Sequence, residues 1–398
     1  METLEVVQAR IRSAVPAAKA GTVSLRDARG LVLAAEIVAG EPVPPFANTA
    51  MDGYAVRAAD TVDAPVRLRV VANLAAGYEA AVPVGPGEAI RIMTGAPMPD
   101  GADAIVMVER TERDGADGVT IHAAATAGDH VRGVGGDVCE GDVVFTVGTV
   151  LGPAHLGVLA SLGFTDIPVY PRVRVGVIST GDELREGPVE LAPGQIRDSN
   201  RPMLVALVAE AGAEAVDLGI GRDDEIAVTA MFRDAAASCD AIVTSGGVSV
   251  GDYDVVKAVL DQIGVLEWWQ VAIKPAKPFA FGLIDGTPIF GLPGNPVSSH
   301  VSFELFARPA LRQMMGHAVI DRPKITAIAG EAMTRRADGK LYLDRVCVRY
   351  ADDHYVAVRS GAQASNVLSG MAAANGLALL PDGPGVQAGA PVEVLLLD

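Results

Sequence analysis

The stretch Ser245-Gly246-Gly247-Val248-Ser249-Val250-Gly251-Asp252-Tyr253-Asp254 follows the apolar run Asp240-Ala241-Ile242-Val243-Thr244, which has the composition of a buried strand. Glycines in such a turn adopt positive φ and leave backbone N–H groups free to face a ligand. At the carboxyl end of a parallel strand, such a loop can cradle an anion, and its trailing aspartates can hold a divalent cation. The same pattern is also typical of an ordinary tight connection between a strand and a helix. For this loop alone, both interpretations stay open.

Apolar runs alternate with helical runs on both sides of this loop. Val173–Ser179 and Ile289–Leu292 have the pattern of buried strands, and Met203–Ala211 has the pattern of a helix between strands. Strands separated by helices of this length predict a parallel sheet with right-handed crossovers. We therefore expect a multi-domain α/β protein in which residues 170–320 form the parallel-sheet domain, with helices on both faces.

The flanking segments have a different texture. Short strands broken by glycine and proline predict β-rich segments, and helical spacing of apolar residues predicts helices near the start of the chain and at Pro153–Leu162. Ser24-Leu25-Arg26-Asp27 has the pattern of a capping box and predicts a second short helix. The other predicted domains are a discontinuous helical and mixed domain over 1–42 plus 139–169, an inserted β-rich domain over 43–138 and a C-terminal β domain over 321–398.

Length, charge and cysteine content limit the function classes. A chain of 398 residues predicts about two to four domains. The net charge of −17 argues against a nucleic-acid binder, so an anionic ligand must be held by local groups. No window approaches ~20 uninterrupted apolar residues, and Met1–Glu5 lacks the features of a secretion signal, so we expect no direct membrane insertion. Cys139, Cys239 and Cys347 lie far apart, which fits reduced thiols in the cytoplasm.

Two loops at predicted strand ends carry carboxylates and amides. Ser179-Thr180-Gly181-Asp182-Glu183-Leu184 leaves a strand through a glycine turn, and Glu183 can coordinate a metal or position a water. In Gln195-Ile196-Arg197-Asp198-Ser199-Asn200, the last three residues either cap the following helix or contact a ligand. The acidic turn can equally be a solvated helix cap, so both interpretations stay open for each loop.

Two further loops combine proline with polar residues. Ile273-Lys274-Pro275-Ala276-Lys277-Pro278 restrains its backbone, so its two lysines either point at oxyanion oxygens or are solvated surface. Gly291-Leu292-Pro293-Gly294-Asn295-Pro296-Val297-Ser298 enters a helix, and the missing N–H groups of its prolines make Gly294, Asn295 and Ser298 the expected donors.

A second cluster of motifs lies in the inserted domain. Pro45–Ala55 and Arg91–Pro97 each place polar residues beside a glycine turn, and Asp52 and Thr94 are expected to meet across the β structure. Taken alone, each can be an ordinary turn residue.

Together, these segments resemble the molybdopterin molybdenumtransferase family, which includes bacterial MoeA and the carboxy-terminal domain of gephyrin. The resemblance extends over essentially the whole chain. The matching segments, in family order, are Asn48–Ala55, Arg91–Pro97, Ser179–Leu184, Gln195–Asn200, Ser245–Lys257, Ile273–Phe281 and Gly291–Ser298.

The resemblance implies that adenylylated molybdopterin and molybdate give the molybdenum cofactor with release of AMP, assisted by Mg²⁺. The residues expected to take part in catalysis are Asp52, Thr94, Asp137, Glu183, Asp223 and Asp254. Together with the loop chemistry above, the resemblance gives a set expected to bind the cofactor precursor: Thr180, Gly181, Asp198, Ser199, Asn200, Ser245, Gly246, Gly247, Ser249, Gly251, Lys274, Lys277, Pro293, Gly294, Asn295, Pro296 and Ser298.

Within these sets, individual roles follow from chemistry. Glu183 and Asp254 are expected to hold the metal or position a water, because Mg²⁺ on carboxylates neutralises a pyrophosphate. Lys274 and Lys277 are expected to bind an oxyanion, and the loop Gly246–Gly251 to cradle the pterin phosphate.

The family also implies a homodimer in which the inserted domain of one subunit approaches the α/β domain of the other. Gephyrin suggests an alternative, a dimeric scaffold that binds a receptor peptide with or without residual catalysis, but the presence of Asp52, Thr94, Glu183 and Asp254 favours an enzyme. A generic nucleotide-binding protein is disfavoured because no Gly-x-x-x-x-Gly-Lys-Ser/Thr loop is present. Two residues depart from the family pattern, Ala47 in place of a frequent aspartate and Gly136 in place of a glutamate. Both changes concern the strength of the site and the handling of substrate, and not the fold.

Overall fold

The computed structural model describes residues 1–222, 224–246 and 255–397, with the backbone alone described for Val255. The chain divides into two compact units. We call Met1–Val23, Gly30–Ala34 and Pro168–Asp398 the α/β unit, and Ser24–Arg29 and Ala35–Ile167 the β-rich unit. In the described part of the chain, no helix is both long enough and apolar enough to span a bilayer.

A six-stranded sheet forms the centre of the α/β unit. Its strands, in spatial order, are Glu214–Gly221, Arg174–Thr180, Ala241–Ser245, Thr287–Leu292, Pro278–Ile284 and Val265–Gln270. The first four are parallel, as expected. The last two run antiparallel to their neighbours, so the sheet is mixed where a wholly parallel one was predicted.

A two-residue hairpin explains this antiparallel edge. Asp285 and Gly286 have φ of 50° and 87°, the positive values that a type I′ turn requires, and they join Pro278–Ile284 to Thr287–Leu292. An Asp-Gly pair between apolar runs is a strong hairpin signal. The predicted alternation of strands and helices took no account of it.

Helices cover both faces of this sheet. Val177, Val243 and Phe290 pack on one face in a core shared with Leu204 and Leu207. The other face buries Ile178, Ile242 and Ile289 against the helices Glu225–Ser238 and Val255–Ile263. Because both faces are buried, these strands are continuous apolar runs without polar alternation. The helices of the unit are Leu4–Ala14, Asn200–Glu210, Glu225–Ser238, Val255–Ile263, Pro296–Ser302, the π-helical turn Phe303–Ala307, Arg308–Met314 and Leu368–Ala372.

A second sheet of the α/β unit contains the C-terminal strands. Its order is Ile273–Lys274, Leu341–Ala351, His354–Arg359, Lys324–Ala329, Pro391–Leu396 and Gly376–Leu380. Leu341–Ala351 also pairs with Gly376–Leu380, so five of these strands close into a barrel around their own apolar core. Closure leaves Ile273–Lys274 as an added strand on Leu341–Ala351.

The β-rich unit contains another six-stranded sheet. Its order is Ala104–Met107, Gly53–Val56, Glu88–Ile92, Val66–Leu74, Gly118–Ile121 and Thr111–Asp114. Alternate residues of these strands enter two apolar clusters, one on each face. The helix of this unit is Pro153–Ser161, and Ala58–Thr61 and Val108–Arg110 are 3₁₀ turns.

The second helix predicted from Ser24 is only a 3₁₀ turn, Leu25–Asp27. Ser24 makes no capping bond to the backbone, and its Oγ lies 2.7 Å from Asp27 Oδ2. Gly30 then takes a φ of 78°, which right-handed helices do not use.

The predicted domain boundaries stay predictions. The remaining short strands are Gly21–Ser24, Val32–Leu33, Ile37–Val38, Asn48–Thr49, Val131–Arg132, Val143–Phe145, Asp166–Tyr170, Leu184–Arg185, Ile196–Arg197, Met333–Thr334 and Gly385–Val386.

Candidate functional site

The carboxyl ends of the four parallel strands lie level with one another. Ser245 is in register with Ser179 on one side and with Leu292 on the other, and Thr180 is in register with Gly221. Pro278, at the start of an antiparallel strand, reaches the same edge because Ala280 pairs with Gly291. The loops that follow these strands therefore meet at one edge of the sheet, where open α/β sheets bind ligands.

Asn200 ties three of these segments together. Its side chain is buried, and its Nδ2 donates to Ser245 Oγ and to the Gly294 carbonyl, both at 2.7 Å. Gly246 N donates to the Leu292 carbonyl at 3.2 Å, which links the same two loops through the backbone. The Asn200 Oδ1 is buried and has no partner among the described residues. This oxygen therefore offers an acceptor to a donor at the site.

Asp198 anchors the start of the same helix. Its carboxylate is almost fully buried, and it accepts hydrogen bonds from Ser179 Oγ at 3.1 Å and from Arg201 N and Nε at 3.1 and 3.0 Å. Of the two interpretations kept for this residue, the structure shows the capping role, because Arg201 N belongs to the first turn of the helix. Ser199 is the residue at the N-cap and makes no side-chain capping bond.

The Arg201 guanidinium completes this anchor, and the sequence patterns did not single it out. It also contacts Asp217 and, at 2.9 Å, Glu186. Burial by itself lowers the pKa of Arg201, but its hydrogen bonds to Glu186, Asp217 and Asp198 outweigh burial and raise the pKa above its usual value. The only sequence signal was its position directly after the Asp198–Asn200 motif.

Two positions in these loops require glycine, one because of its positive φ and one because of its positive φ and a close backbone approach. Gly181 has a φ of 143°, and a Cβ there would lie 2.4 Å from the Glu183 carboxylate. Gly246 has a φ of 95°, and a Cβ there would lie 2.7 Å from the Thr180 carbonyl. The backbones of the Thr180 and Gly246 loops therefore approach each other closely at Gly246, and the positive φ at Gly181 marks the other predicted turn.

Glu183 is exposed, and its backbone carbonyl accepts from Ile196 N at 2.9 Å. The described residues include no cluster of three or more His, Cys, Asp or Glu side chains suited to a metal ion. Asp254, the second predicted metal ligand, lies outside the described residues. So do four other predicted site residues: Asp223, Gly247, Ser249 and Gly251.

The helix Pro296–Ser302 begins at the last predicted loop. Asn295 is exposed and is the N-cap residue, but its side chain makes no capping bond, so its amide is available to a ligand. Gly294 is exposed and Ser298 is buried in the first turn. Pro293 and Pro296 flank the exposed pair, and the Pro293 carbonyl lies 3.5 Å from Ser245 Oγ.

The two predicted lysines have different surroundings. Lys274 ends the strand that is added to the C-terminal barrel, and its Nζ lies 4.5 Å from the centroid of the Tyr342 ring. Arg335 also lies over this ring, at 4.1 Å, and a cavity of about 430 Å³ opens beside these side chains. Lys277 is exposed and immediately precedes the strand Pro278–Ile284. Lys274 thus belongs to the second sheet, and Lys277 to the edge of the first.

Arg345 is a buried cation that the sequence reasoning missed. Its side chain is fully buried, its Nη2 donates to the carbonyls of Ala362 and Ala364 at 2.7 and 3.1 Å, and its Nε and Nη1 have no partner among the described residues. Burial lowers its pKa.

Asp52 and Thr94 meet in the β-rich unit, as the sequence predicted. Thr94 donates to Asp52 Oδ1 from both its backbone N and its Oγ1, each at 2.7 Å. The bond from the backbone N is the largest cause that lowers the pKa of Asp52, followed by the bond from Oγ1. Asp137 is exposed, and its backbone N donates to the Val43 carbonyl at 2.9 Å.

Three family models match successive parts of the chain: the MoeA N-terminal region (domain I and II) at residues 2–163, the "Probable molybdopterin binding domain" at 176–313 and the MoeA C-terminal region (domain IV) at 327–397. Molybdopterin molybdenumtransferase 2 of Mycobacterium tuberculosis is 42% identical over 407 residues, covering 99% of each chain. The chain belongs to the MoeA family of molybdopterin molybdenumtransferases.

Other members support the same assignment. The molybdopterin molybdenumtransferase of Haemophilus influenzae is 36% identical over 373 residues, covering 93% of this chain and 92% of that protein. A crystal structure of the MoeA protein from Pyrococcus horikoshii superposes with a TM-score of 0.82 at 31% identity and covers 100% of this chain and 99% of that one. The MoeA resemblance drawn from the sequence motifs is therefore confirmed, together with the multi-domain α/β fold class.

Proposed function

We propose that this molybdopterin molybdenumtransferase inserts molybdenum from molybdate into adenylylated molybdopterin and releases AMP. The observation that carries the proposal is the edge of the α/β sheet, where Asn200 joins the loops after two parallel strands. This edge lies in the part of the chain that matches the molybdopterin-binding family model. Membership of the MoeA family supports a role in molybdenum cofactor biosynthesis.

The pterin phosphate is bound by the loops at this edge. The exposed Gly294 offers its backbone N–H group near Asn200, and the Asn295 side-chain amide, which makes no capping bond, adds a further donor. The unused Oδ1 of Asn200 accepts from an N–H of the ligand. A pterin ring has such donors, so a site made of loop donors and one buried acceptor suits it.

Two lysines receive molybdate and phosphate oxygens. Lys274 and Lys277 are both exposed, each on its own sheet, and Lys274 borders a cavity. In a chain with a net charge of −17, these local cations hold the anion against the overall field.

Mg²⁺ assists the reaction, and the donors of this chain fit it. Mg²⁺ commonly takes one or two carboxylates and fills its other positions with phosphate oxygens and water. Glu183 supplies one exposed carboxylate, and Asp254 is the second proposed ligand. When bound, the ion neutralises charge on the pyrophosphate. Asp52, held ionised by Thr94, orients a water or a substrate hydroxyl through its second carboxylate oxygen.

The remaining proposals concern assembly and compartment. The family resemblance supports a homodimer. If sedimentation of the full chain at micromolar concentration showed only a monomer, this proposal would be contradicted.

Three free cysteines support a cytoplasmic location. The relatives above are named as transferases, which favours the enzyme over a gephyrin-like scaffold. A peptide partner, as in gephyrin, stays a prediction that a pull-down with the purified chain can test.

The test of the proposed function is incubation of the full chain with adenylylated molybdopterin, molybdate and Mg²⁺, with AMP followed by chromatography. We expect AMP release that depends on both Mg²⁺ and molybdate, and lower release from Glu183→Gln. Binding of adenylylated molybdopterin without any release of AMP would contradict the enzymatic proposal.

A further inference from the structure

The six-stranded sheet of the β-rich unit encloses a cavity that none of the roles above uses. Its volume is about 560 Å³, within the range of small-molecule sites. Tyr54, Val70 and Val108 give it an apolar lining, and Asn73, Arg91 and Arg113 also line it. We call this space the β-sheet cavity.

The strand register explains why polar and apolar residues share this space. Directly paired residues of neighbouring strands point to the same face of a sheet. Arg91 pairs with Tyr54 on one side and with Asn73 on the other. Arg113 pairs with Val119, which packs in the same apolar cluster as Tyr54. All these side chains therefore project from one face, although Arg113 lies on the last strand of the sheet.

The pairing also bends the sheet enough for its distant strands to line one cavity. The register between Val66–Leu74 and Glu88–Ile92 shifts between Val70 and Ala72. Such a bulge increases the local twist and bends the strand. Both Val70 and Ala72 line the cavity at this point.

Two guanidinium groups line the cavity. Neither Arg91 nor Arg113 forms a close ion pair within the described part of the chain, whereas Arg67 and Arg69 of the same sheet pair with Asp114 and Glu88. The charge of Arg91 also contributes to lowering the pKa of Asp52. Arg91 lies 5.0 Å from the centroid of the Tyr54 ring, where a cation–π contact holds it. Two cations that line one cavity favour an anionic ligand there, even in an acidic protein.

We propose that the β-sheet cavity binds a phosphate monoester whose body is apolar or aromatic. Arg91 and Arg113 bind the phosphate oxygens, because guanidinium groups make charge-assisted and bidentate hydrogen bonds to phosphate. The exposed Asn73 amide donates a further hydrogen bond, and the apolar lining from Val70 and Val108 contacts the body of the ligand.

Hydrogen–deuterium exchange of the full chain tests this site, with AMP as the probe. We expect AMP to slow exchange in the strands Glu88–Ile92 and Thr111–Asp114. Inorganic phosphate lacks the apolar body and adenosine lacks the anion, so each is expected to protect these strands less at equal concentration. AMP release from adenylylated molybdopterin is measured separately and reports on the proposed function alone.

Matched variants assign the effect to the cavity. Arg113→Gln is expected to raise the AMP concentration needed for half-maximal protection by about tenfold, the loss of one charge-assisted contact. Asn73→Ala is expected to raise it less. Arg110→Gln removes an exposed arginine that does not line the cavity and is expected to change nothing. The proposal would be overturned if AMP did not protect these strands, or if AMP protected them equally well in Arg113→Gln.

Discussion

Asn200 in the α/β unit and Asp52 in the β-rich unit each make two short hydrogen bonds beside a glycine turn, but they differ in burial. Asn200 is 9% exposed and lies among other buried polar groups, while Asp52 is exposed to water. A buried group that loses its partner pays the full desolvation cost, whereas an exposed group can bond to water instead. A substitution at Asn200 is therefore expected to lower both stability and activity. A substitution at Asp52 is expected to lower activity alone.

Asp198→Ala is expected to have the largest effect, because it removes the buried carboxylate between Ser179 and Arg201. The free energy of unfolding of the α/β unit is expected to fall by about 3 kcal/mol, as when one partner of a buried ion pair is lost. Both tryptophans, Trp268 and Trp269, lie in this unit. Urea unfolding followed by their fluorescence therefore reports on this unit alone.

The matched control is Asp198→Asn, which keeps an acceptor of the same shape and is expected to lose less stability. A urea midpoint for Asp198→Ala equal to that of the unchanged protein would show that the buried contacts of this region contribute nothing. The proposed difference between the buried contacts of this region and the exposed contacts of Asp52 would then be contradicted.

Asn200→Ala is expected to lower the free energy of unfolding of the same unit by about 1–3 kcal/mol, because Ser245 Oγ and the Gly294 carbonyl lose a buried donor. AMP release is expected to fall as well, since the two loops are no longer tied together. The same fluorescence measurement and the AMP assay check this.

Asn200→Asp separates donor loss from volume loss. It keeps the shape but cannot donate, so it is expected to be destabilised like Asn200→Ala. Full stability in Asn200→Asp together with normal AMP release would remove the loop-tying role of the amide.

Asp52→Asn is expected to leave the melting temperature of the chain nearly unchanged, because substitutions of exposed residues rarely cost much stability. AMP release is nevertheless expected to fall by about 100-fold, the scale of a lost general base or water-orienting group. Circular dichroism melting and the AMP assay give the two readouts. A melting shift as large as that of Asn200→Ala would contradict the separation of folding from function at this site.

Thr94→Val is expected to give the smallest effect, a rise of the Asp52 pKa toward its ordinary value of 3.8. The pKa of Asp52 is lowered in the folded protein, so its stabilising contribution is present above pH 3.8 and is lost as the pH falls through the lower folded pKa. At neutral pH, Asp52 is ionised in both the unchanged protein and Thr94→Val, so the substitution has no effect on its charge there. Carboxyl-carbon NMR shifts of Asp52 against pH measure the change, and Thr94→Ser, which keeps the hydroxyl, is the control.

The sequence predicted the parts of this site that depend on local pattern. Thr180, Ser245 and Gly294 lie at one edge of the sheet because strands and helices alternate there, and such alternation places the carboxyl ends of parallel strands at the same edge. The contact between Asp52 and Thr94 was also predicted, from two glycine turns with polar neighbours.

The burial of charged residues inside strands and helices was not predicted. Arg345 follows Asp344 in a strand, and a pattern of charges there indicates a solvated face, yet Arg345 is fully buried. Arg201 lies in a helix, where its position predicts a surface residue as readily as a buried anchor. Whether a charged side chain is buried depends on which groups from distant parts of the chain contact it. Local periodicity does not indicate those contacts.

The sequence by itself determined the α/β class of the central sheet, the glycine turns at its edge and membership of the MoeA family, because these follow from apolar period, turn chemistry and ordered motifs. Only the tertiary structure decided that Lys274 belongs to the C-terminal barrel, that Asp198 is committed to Arg201, and that the β-rich sheet encloses a basic cavity. The physical reason is that strand pairing and the neutralisation of buried charge join residues far apart in the chain, and their free energy is set by the whole packed environment.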